Sequence, residues 1–289
     1  MSWRTIVISN KCKLSYKNNY MIVRNENLNM VHLSEINTIV IDTTLVSITS
    51  TLMCELMDRK IKVVFCDERH NPKGELVQYY GSHNTSKKIM TQIKWADNIK
   101  DEVWTQVIKH KINNQSYILK KHGKENWDKL LEYSQQVEFG DRTNREGHSA
   151  KVYFNSLFGT GFNRDSSCDI NSALDYGYSI LLSSFNKEIV ANGYLTQLGI
   201  HHKNEFNYFN LSSDLMEPFR PVVDDVVYMN RKCYFDKDFK LKLVDILNIK
   251  VKINNGNYYL SNAISLYLNS IIKALESNDI EQILKVEVL

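Results

Sequence analysis

Residues Gly81-Ser82-His83-Asn84-Thr85-Ser86-Lys87-Lys88 divide the chain into two parts that obey different periodicities. The octet is small and polar, which is the composition of a hinge. Upstream of it, short β-branched or aromatic runs alternate with Asn, Asp, Gly and Pro; downstream, from Ile89, apolar residues recur about every 3.6 positions. The expected fold is α+β in two domains: a mainly antiparallel β domain over residues 1–80, a linker over 81–88, and an all-α domain over 89–289, carrying one small hairpin.

Working upstream, strands are expected at residues 4–9, 13–16, 20–23, 38–42, 61–66 and 75–80. Asn18 and Asn19 mark a hairpin turn, since Asn tolerates positive φ. One helix, at about residues 47–59, places Ile48, Leu52, Leu56 and Met57 on one side. Working downstream, Ile99, Val103, Val107 and Ile112 line a long helix that Gly123 can end. A second helix follows Asp169 as N-cap and stops before Gly193, and a third covers residues 261–275. Asn255-Gly256 supplies turn residues for the hairpin at 250–260.

Composition narrows the class. The 289 residues include 11 Gly and 3 Pro, under 5% together, which excludes collagen-like and low-complexity chains. Five cysteines (Cys12, Cys54, Cys66, Cys168, Cys233) without a Cys-x-x-Cys signal neither a disulfide framework nor a thiolate zinc site, so a reducing cytoplasm is the expected location. There is no signal-peptide pattern and no 18-residue apolar run, hence no membrane partner is expected. The formal charge, +3, neither demands nor excludes nucleic acid, but it is unevenly placed. Residues 83–125 carry nine Lys against four acids, and residues 229–252 carry seven Lys or Arg against three. These are either solvated helix faces or a surface for phosphates.

Two segments bring acids and imidazoles to places a purely structural reading explains poorly. In residues 143–159, Glu146, Ala150, Tyr153 and Leu157 share a helix face at steps of 4, 3 and 4. A carboxylate on a buried face needs a cation or donors; the alternative is an ordinary first-turn Glu behind Asn144 as N-cap. In residues 194–221, Pro218 puts a helix start only a few residues earlier, with Asp214 and Glu217 three apart on its first turn. Those two acids also fit a capping box, and His201-His202 fit a plain loop. Carboxylate, imidazole and carboxylate together suit Mg²⁺ or Mn²⁺ better than zinc, and such ions serve phosphodiester chemistry. A metal-dependent nuclease or transesterase follows.

The stretches Arg145-Glu146-Gly147-His148-Ser149-Ala150-Lys151-Val152-Tyr153-Phe154, Leu174-Asp175-Tyr176-Gly177-Tyr178, Gly199-Ile200-His201-His202 and Ser213-Asp214-Leu215-Met216-Glu217-Pro218-Phe219-Arg220-Pro221 closely resemble the CRISPR-associated integrase that captures new spacers, in its type II version. Leu14-Ser15-Tyr16-Lys17-Asn18-Asn19, His32-Leu33-Ser34-Glu35-Ile36 and Val64-Phe65-Cys66-Asp67 resemble that family's amino-terminal domain, so the likeness runs in order over about residues 3–225. The resemblance implies a homodimer joined through the β domain, with catalysis in the helical domain. It further implies double-stranded DNA as captured fragment and repeat array, a second small adaptation protein, and an RNA-guided effector nuclease as a further associate. By the family's pattern Glu146, His202 and Glu217 are both catalytic residues and ligands of Mg²⁺ or Mn²⁺. The last position, often Asp in relatives, is Glu here; Asp214 is an auxiliary acid, and His201 is the ligand if the register is off by one. The implied reaction joins a 3′-hydroxyl of the fragment to a phosphodiester at the repeat boundary. A structure-selective DNA repair nuclease and a non-catalytic DNA-holding subunit are the competing readings.

Overall fold

In the computed structural model, residues 4–68, 70–78 and 84–289 are described. The chain divides into two compact units, Met1–Gly81 and Ser82–Leu289.

The first unit runs β1 (Arg4–Ile8), β2 (Cys12–Lys17), β3 (Tyr20–Arg24), β4 (Leu28–His32), β5 (Ile36–Ile41), β6 (Val46–Ile48), α1 (Ser50–Asp58), β7 (Lys62–Cys66) and β8 (Pro72–Glu75). Two four-stranded sheets result, ordered β1-β5-β7-β8 and β4-β3-β2-β6. The expectation of a mainly antiparallel domain is corrected: β1·β5, β5·β7 and β2·β6 pair in parallel, while β2·β3, β3·β4 and β7·β8 are antiparallel. Parallel neighbours need a long crossover, and α1 between β5 and β7 provides one. The near-continuous burial of β5 and β7 is the mark of central parallel strands, whose apolar runs do not alternate. Asn18 and Asn19 make the β2–β3 turn at φ 50° and 67°, as their chemistry predicts. Strands β4 and β6 escaped the sequence reading, and β8 lies earlier than the run expected at 75–80, whose last two residues fall outside those described.

The second unit contains α2 (Thr85–Ile93), α3 (Asp97–Lys121), α4 (Trp127–Gln135), α5 (Arg145–Phe158), α6 (Asp169–Ala191), α7 (Asn210–Leu215), α8 (Arg220–Met229), α9 (Lys237–Val244), β9 (Lys250–Ile253), β10 (Gly256–Tyr259), α10 (Leu260–Ser277) and β11 (Val286–Val288). It is not all-α, because β10, β9 and β11 form an antiparallel three-stranded sheet. The β9–β10 turn sits one residue before the expected one: Gly256 pairs with Ile253, and Asn254 takes the positive φ of 49°. The proposed linker is corrected in part. Residues 85–88 are the first turn of α2, and 81–83 lie outside the described residues. Small polar residues suit a helix start as well as a hinge.

Helix α3 is the axis of this unit. Trp104, Val107, Ile108, Ile112, Ile118 and Leu119 are buried on successive sides of it, as in a helix enclosed by neighbours. Lys111, Asn114 and Gln115 are buried as well, and buried polar groups on such a helix need partners. Among the described residues no helix is long and apolar enough to cross a membrane.

Candidate active site

Glu146 is placed by its own helix start. Asn144, at φ 51°, caps α5 by accepting from Gly147 N at 3.1 Å. Asp141 adds a second anchor, accepting from Arg145 N at 2.8 Å and Glu146 N at 3.0 Å. The Glu146 side chain turns toward α3, where Lys111 Nζ donates to its Oε1 at 2.7 Å.

Glu217 arrives from another direction. It opens a 3₁₀ turn, Glu217–Phe219, that Pro218 starts and α8 continues from Arg220. Asn114 Nδ2 donates to the Pro218 carbonyl at 2.8 Å, fixing this turn on α3. The same ammonium of Lys111 forms an ion pair with Glu217 Oε2 at 2.5 Å, and Arg220 Nε donates to Glu217 Oε1 at 2.7 Å. Lys111 and Glu217 are both buried. Burial alone would depress the Lys111 amine, but Glu217 and Glu146 outweigh it and hold it above its ordinary value. Burial would likewise raise Glu217; Arg220 and Lys111 reverse that and lower it.

The imidazoles sit on a loop organised by one carboxylate. Asp214, fully buried within α7, accepts from Ile200 N at 2.7 Å, His201 N at 3.0 Å and His202 N at 3.2 Å, and pairs with His202 Nδ1. A Cβ at Gly199 would overlap the His202 carbonyl oxygen and lie 2.7 Å from Asp214 Oδ2, so the loop closes only around glycine. His201 stacks on Trp104, centroids 4.2 Å apart and planes at 5°, whereas His202 meets the same indole edge-on at 5.7 Å and keeps 44% of its side chain exposed. The hydrogen bond that His202 Nδ1 donates to Asp214 raises the His202 pKa, burial opposes it, and the charges of Asp214, Glu146 and Glu217 raise it further. A cavity of about 460 Å³ opens beside His202, lined in part by Gln92, Trp95, Lys100, Lys203 and Tyr208.

The three acids and imidazole anticipated from sequence therefore fall into one region. Glu146 and Glu217 share a single ammonium, and His202 lies within electrostatic reach of both. The capping-box reading of Asp214 and Glu217 is overturned, because Asp214 caps no helix; it anchors the 199–202 loop from inside α7. His201 is a stacking residue against Trp104. Lys111, Arg220 and Trp104 escaped the sequence reading. The signal for Lys111 was its place four residues after Val107 and eight after Val103, a charge continuing an apolar stripe.

Among the described residues no group of three or more His, Cys, Asp or Glu is drawn close enough to enclose a metal ion. The reason is visible in the site: a lysine ammonium stands between the two carboxylates. That ammonium also answers whether the residues fit a cation, for it marks a place where two carboxylate oxygens converge on positive charge. Glu217 Oε2 is buried and meets the Lys111 ammonium. With Nδ1 of His202 held by a carboxylate, the Nε2 lone pair is left for a ligand, the arrangement usual for metal-binding histidines. Two oxygens and one nitrogen suit a hard divalent ion.

Behind Arg220 lies a buried acid. Arg220 sits 4.5 Å over the Tyr178 ring, and the Tyr178 hydroxyl donates to Asp224 Oδ1 at 2.5 Å. Burial pushes Asp224 up to about 6, against the lowering effect of the tyrosine hydroxyls and Arg220. Its folded pKa thus exceeds the ordinary 3.8. The stability it contributes is full below that ordinary value, declines as pH rises, and is lost above about pH 6. The loss is about 3 kcal/mol. Asp224→Asn keeps an acceptor for Tyr178 and removes the proton linkage, so urea unfolding should gain about 1–3 kcal/mol at pH 7.5 relative to pH 4.5 when compared with the wild type. An unaltered pH difference would contradict this.

Residues 5–252 match the family model described as CRISPR associated protein Cas1. The chain is 28% identical, over 296 aligned residues, to the CRISPR-associated endonuclease Cas1 of Neisseria meningitidis serogroup C, covering 100% of this chain and 97% of that protein. It is 30% identical over 251 residues to a CRISPR-associated endonuclease Cas1 of Francisella tularensis subsp. novicida, covering 79% of each. Among solved structures, a casposase bound to integration product aligns with a TM-score of 0.78 at 18% identity over 96% of this chain and 92% of that one. A chain of a Cas6-RT-Cas1–Cas2 complex aligns at 0.74 and 17% identity; it is much longer, and this chain spans 36% of it. At such identities the two structures speak to fold alone.

Proposed function

Because the chain belongs to the CRISPR-associated Cas1 family, we propose that it is a metal-dependent DNA endonuclease and integrase of CRISPR adaptation, inserting short duplex fragments into a repeat array by transesterification. The observation that carries this reading is the convergence of Glu146 and Glu217, from separate elements, on one cation beside a carboxylate-oriented imidazole. Glu146, His202 and Glu217 would hold Mg²⁺ or Mn²⁺, which when bound supplies polarisation of a phosphoryl oxygen and stabilisation of the leaving oxyanion.

The chain's own residues have distinct tasks. Asp214 fixes the imidazole tautomer and the loop backbone. Arg220 keeps Glu217 aimed through Oε1, leaving Oε2 to the cation that Lys111 now supplies. Trp104 gives the loop a rigid floor through His201. Lys203, on the cavity beside His202, offers a charge to a DNA phosphate, and the exposed Lys87 and Lys120 of α2 and α3 add sequence-independent contacts. Holding the attacking 3′-hydroxyl in line with the scissile phosphate is the main service such a scaffold gives. The proposed assembly is a homodimer with a second small adaptation protein, acting on DNA in the cytoplasm.

Hydrolysis is the second reading, since the named relatives are endonucleases while the casposase structure holds an integration product. A supercoiled plasmid incubated with Mn²⁺ and a labelled fragment bearing free 3′ ends separates the two. Integration predicts label covalently joined to plasmid, and its loss, by at least about a hundredfold, in Glu146→Gln. Nicking with no label transfer, with and without the small partner protein, would favour a repair nuclease.

A further inference from the structure

Lys111 is the one member of the site for which the metal-dependent reading assigns no task. Its ammonium touches both carboxylates, at 2.7 Å from Glu146 and 2.5 Å from Glu217, on a side chain only 9% exposed. We propose that Lys111 is the resident counter-cation of this site and that a divalent ion binds by displacing its ammonium from Glu146 and Glu217. This rests on the metal-dependent reading above and adds a residue to it.

The argument is one of charge and geometry. Two carboxylates brought side by side in a buried pocket repel each other unless a cation stands between them. Lys111 is that cation without any ion from solution, so the site remains assembled when no metal is present. The residue is built for exchange. Its Cα belongs to a helix of 25 residues that is packed on successive sides, while a lysine's four-carbon stem is intrinsically flexible. Glu217 divides its oxygens accordingly: Oε1 accepts from Arg220, and Oε2 is paired with the Lys111 ammonium. Removing the ammonium therefore frees an oxygen for the ion while Arg220 keeps the carboxylate aimed. A divalent ion on the same oxygens cannot tolerate an ammonium at ion-pair distance, so the two compete. Lys111 is thus a positioning residue that weakens ion binding while it holds the two carboxylates together.

The test measures Mn²⁺ binding to the full chain by calorimetry, and melting temperature with and without Mn²⁺. Lys111→Met should bind Mn²⁺ at least about tenfold more tightly than wild type, melt lower without the ion, and show a larger rise on adding it. Lys111→Gln, which retains a donor amide but no charge, should shift the same way and serves if the methionine variant folds poorly; Lys111→Arg should resemble wild type. In the wild type itself, an amine-acylating reagent read by mass spectrometry should modify Lys111 faster once Mn²⁺ is added. Unchanged or weaker binding by the neutral variants, or acylation indifferent to Mn²⁺, overturns the inference while leaving the metal-dependent reading intact. Absence of Mn²⁺ binding by wild type and variants alike overturns both.

Discussion

Asp214→Ala is expected to lower the melting temperature of the chain by about 10 °C and to weaken Mn²⁺ binding by about 10- to 100-fold. One carboxylate accepts from three consecutive backbone amides, Ile200 N, His201 N and His202 N, and from the His202 ring. Alanine leaves these donors without a partner in a place with no exposure at residue 214. Each stranded donor costs about 1–3 kcal/mol, and with some water entering the gap the sum is about 3–5 kcal/mol. Asp214→Asn keeps the size and one acceptor oxygen, so it should retain most of the stability yet share the loss in ion affinity. Thermal melts and calorimetry on the pair separate the two roles, and an alanine variant as stable as wild type would contradict the anchoring role.

The second large effect is expected at Glu217. In metal-free buffer Glu217→Leu should destabilise the chain by about 3–5 kcal/mol, since it leaves the buried Lys111 with Glu146 in place of two carboxylates and removes the carboxylate to which Arg220 Nε donates. Removing both sides of the ion pair should be gentler than removing one: the double variant Lys111→Met/Glu217→Leu is expected to recover a large part of that loss. Urea unfolding of the wild type, the two single variants and the double variant checks this. A double variant as unstable as the sum of the singles would mean that Lys111 and Glu217 do not act as a pair. Strand transfer should be lost in both variants that lack Glu217, so the stability readout, not activity, carries the distinction.

How far the sequence could be read depended on whether a signal was local. The Asn18-Asn19 turn, the Asn144 cap and the helices over 97–121 and 169–191 are set by residues within a turn or two and were legible, although Asp169 is the first helical residue behind Cys168 and not the expected N-cap. Strand direction was not, because parallel pairing in β1-β5-β7 is decided by crossovers of twenty residues or more rather than by the runs themselves. Strand β11 is only Val286–Val288, and it exists because β9 and Asn114 receive it. At the site, Glu146, His202 and Glu217 stood out as residue types, and the family resemblance put them together. Asp214 was legible as an acid but not as a loop anchor, since its partners lie 12 to 14 residues upstream. Lys111 was hidden among nine lysines of residues 83–125, where charge suggested a DNA-facing surface. One of them faces inward because two carboxylates from other elements meet it there.

The account stands on two acids and an imidazole binding one hard cation. Calorimetric titration of Mn²⁺ into the full chain and into Glu146→Gln, His202→Ala and Glu217→Gln tests it most directly. It predicts one class of site in the wild type and affinity weakened by at least about tenfold in each variant; variants that bind Mn²⁺ as the wild type does would contradict it.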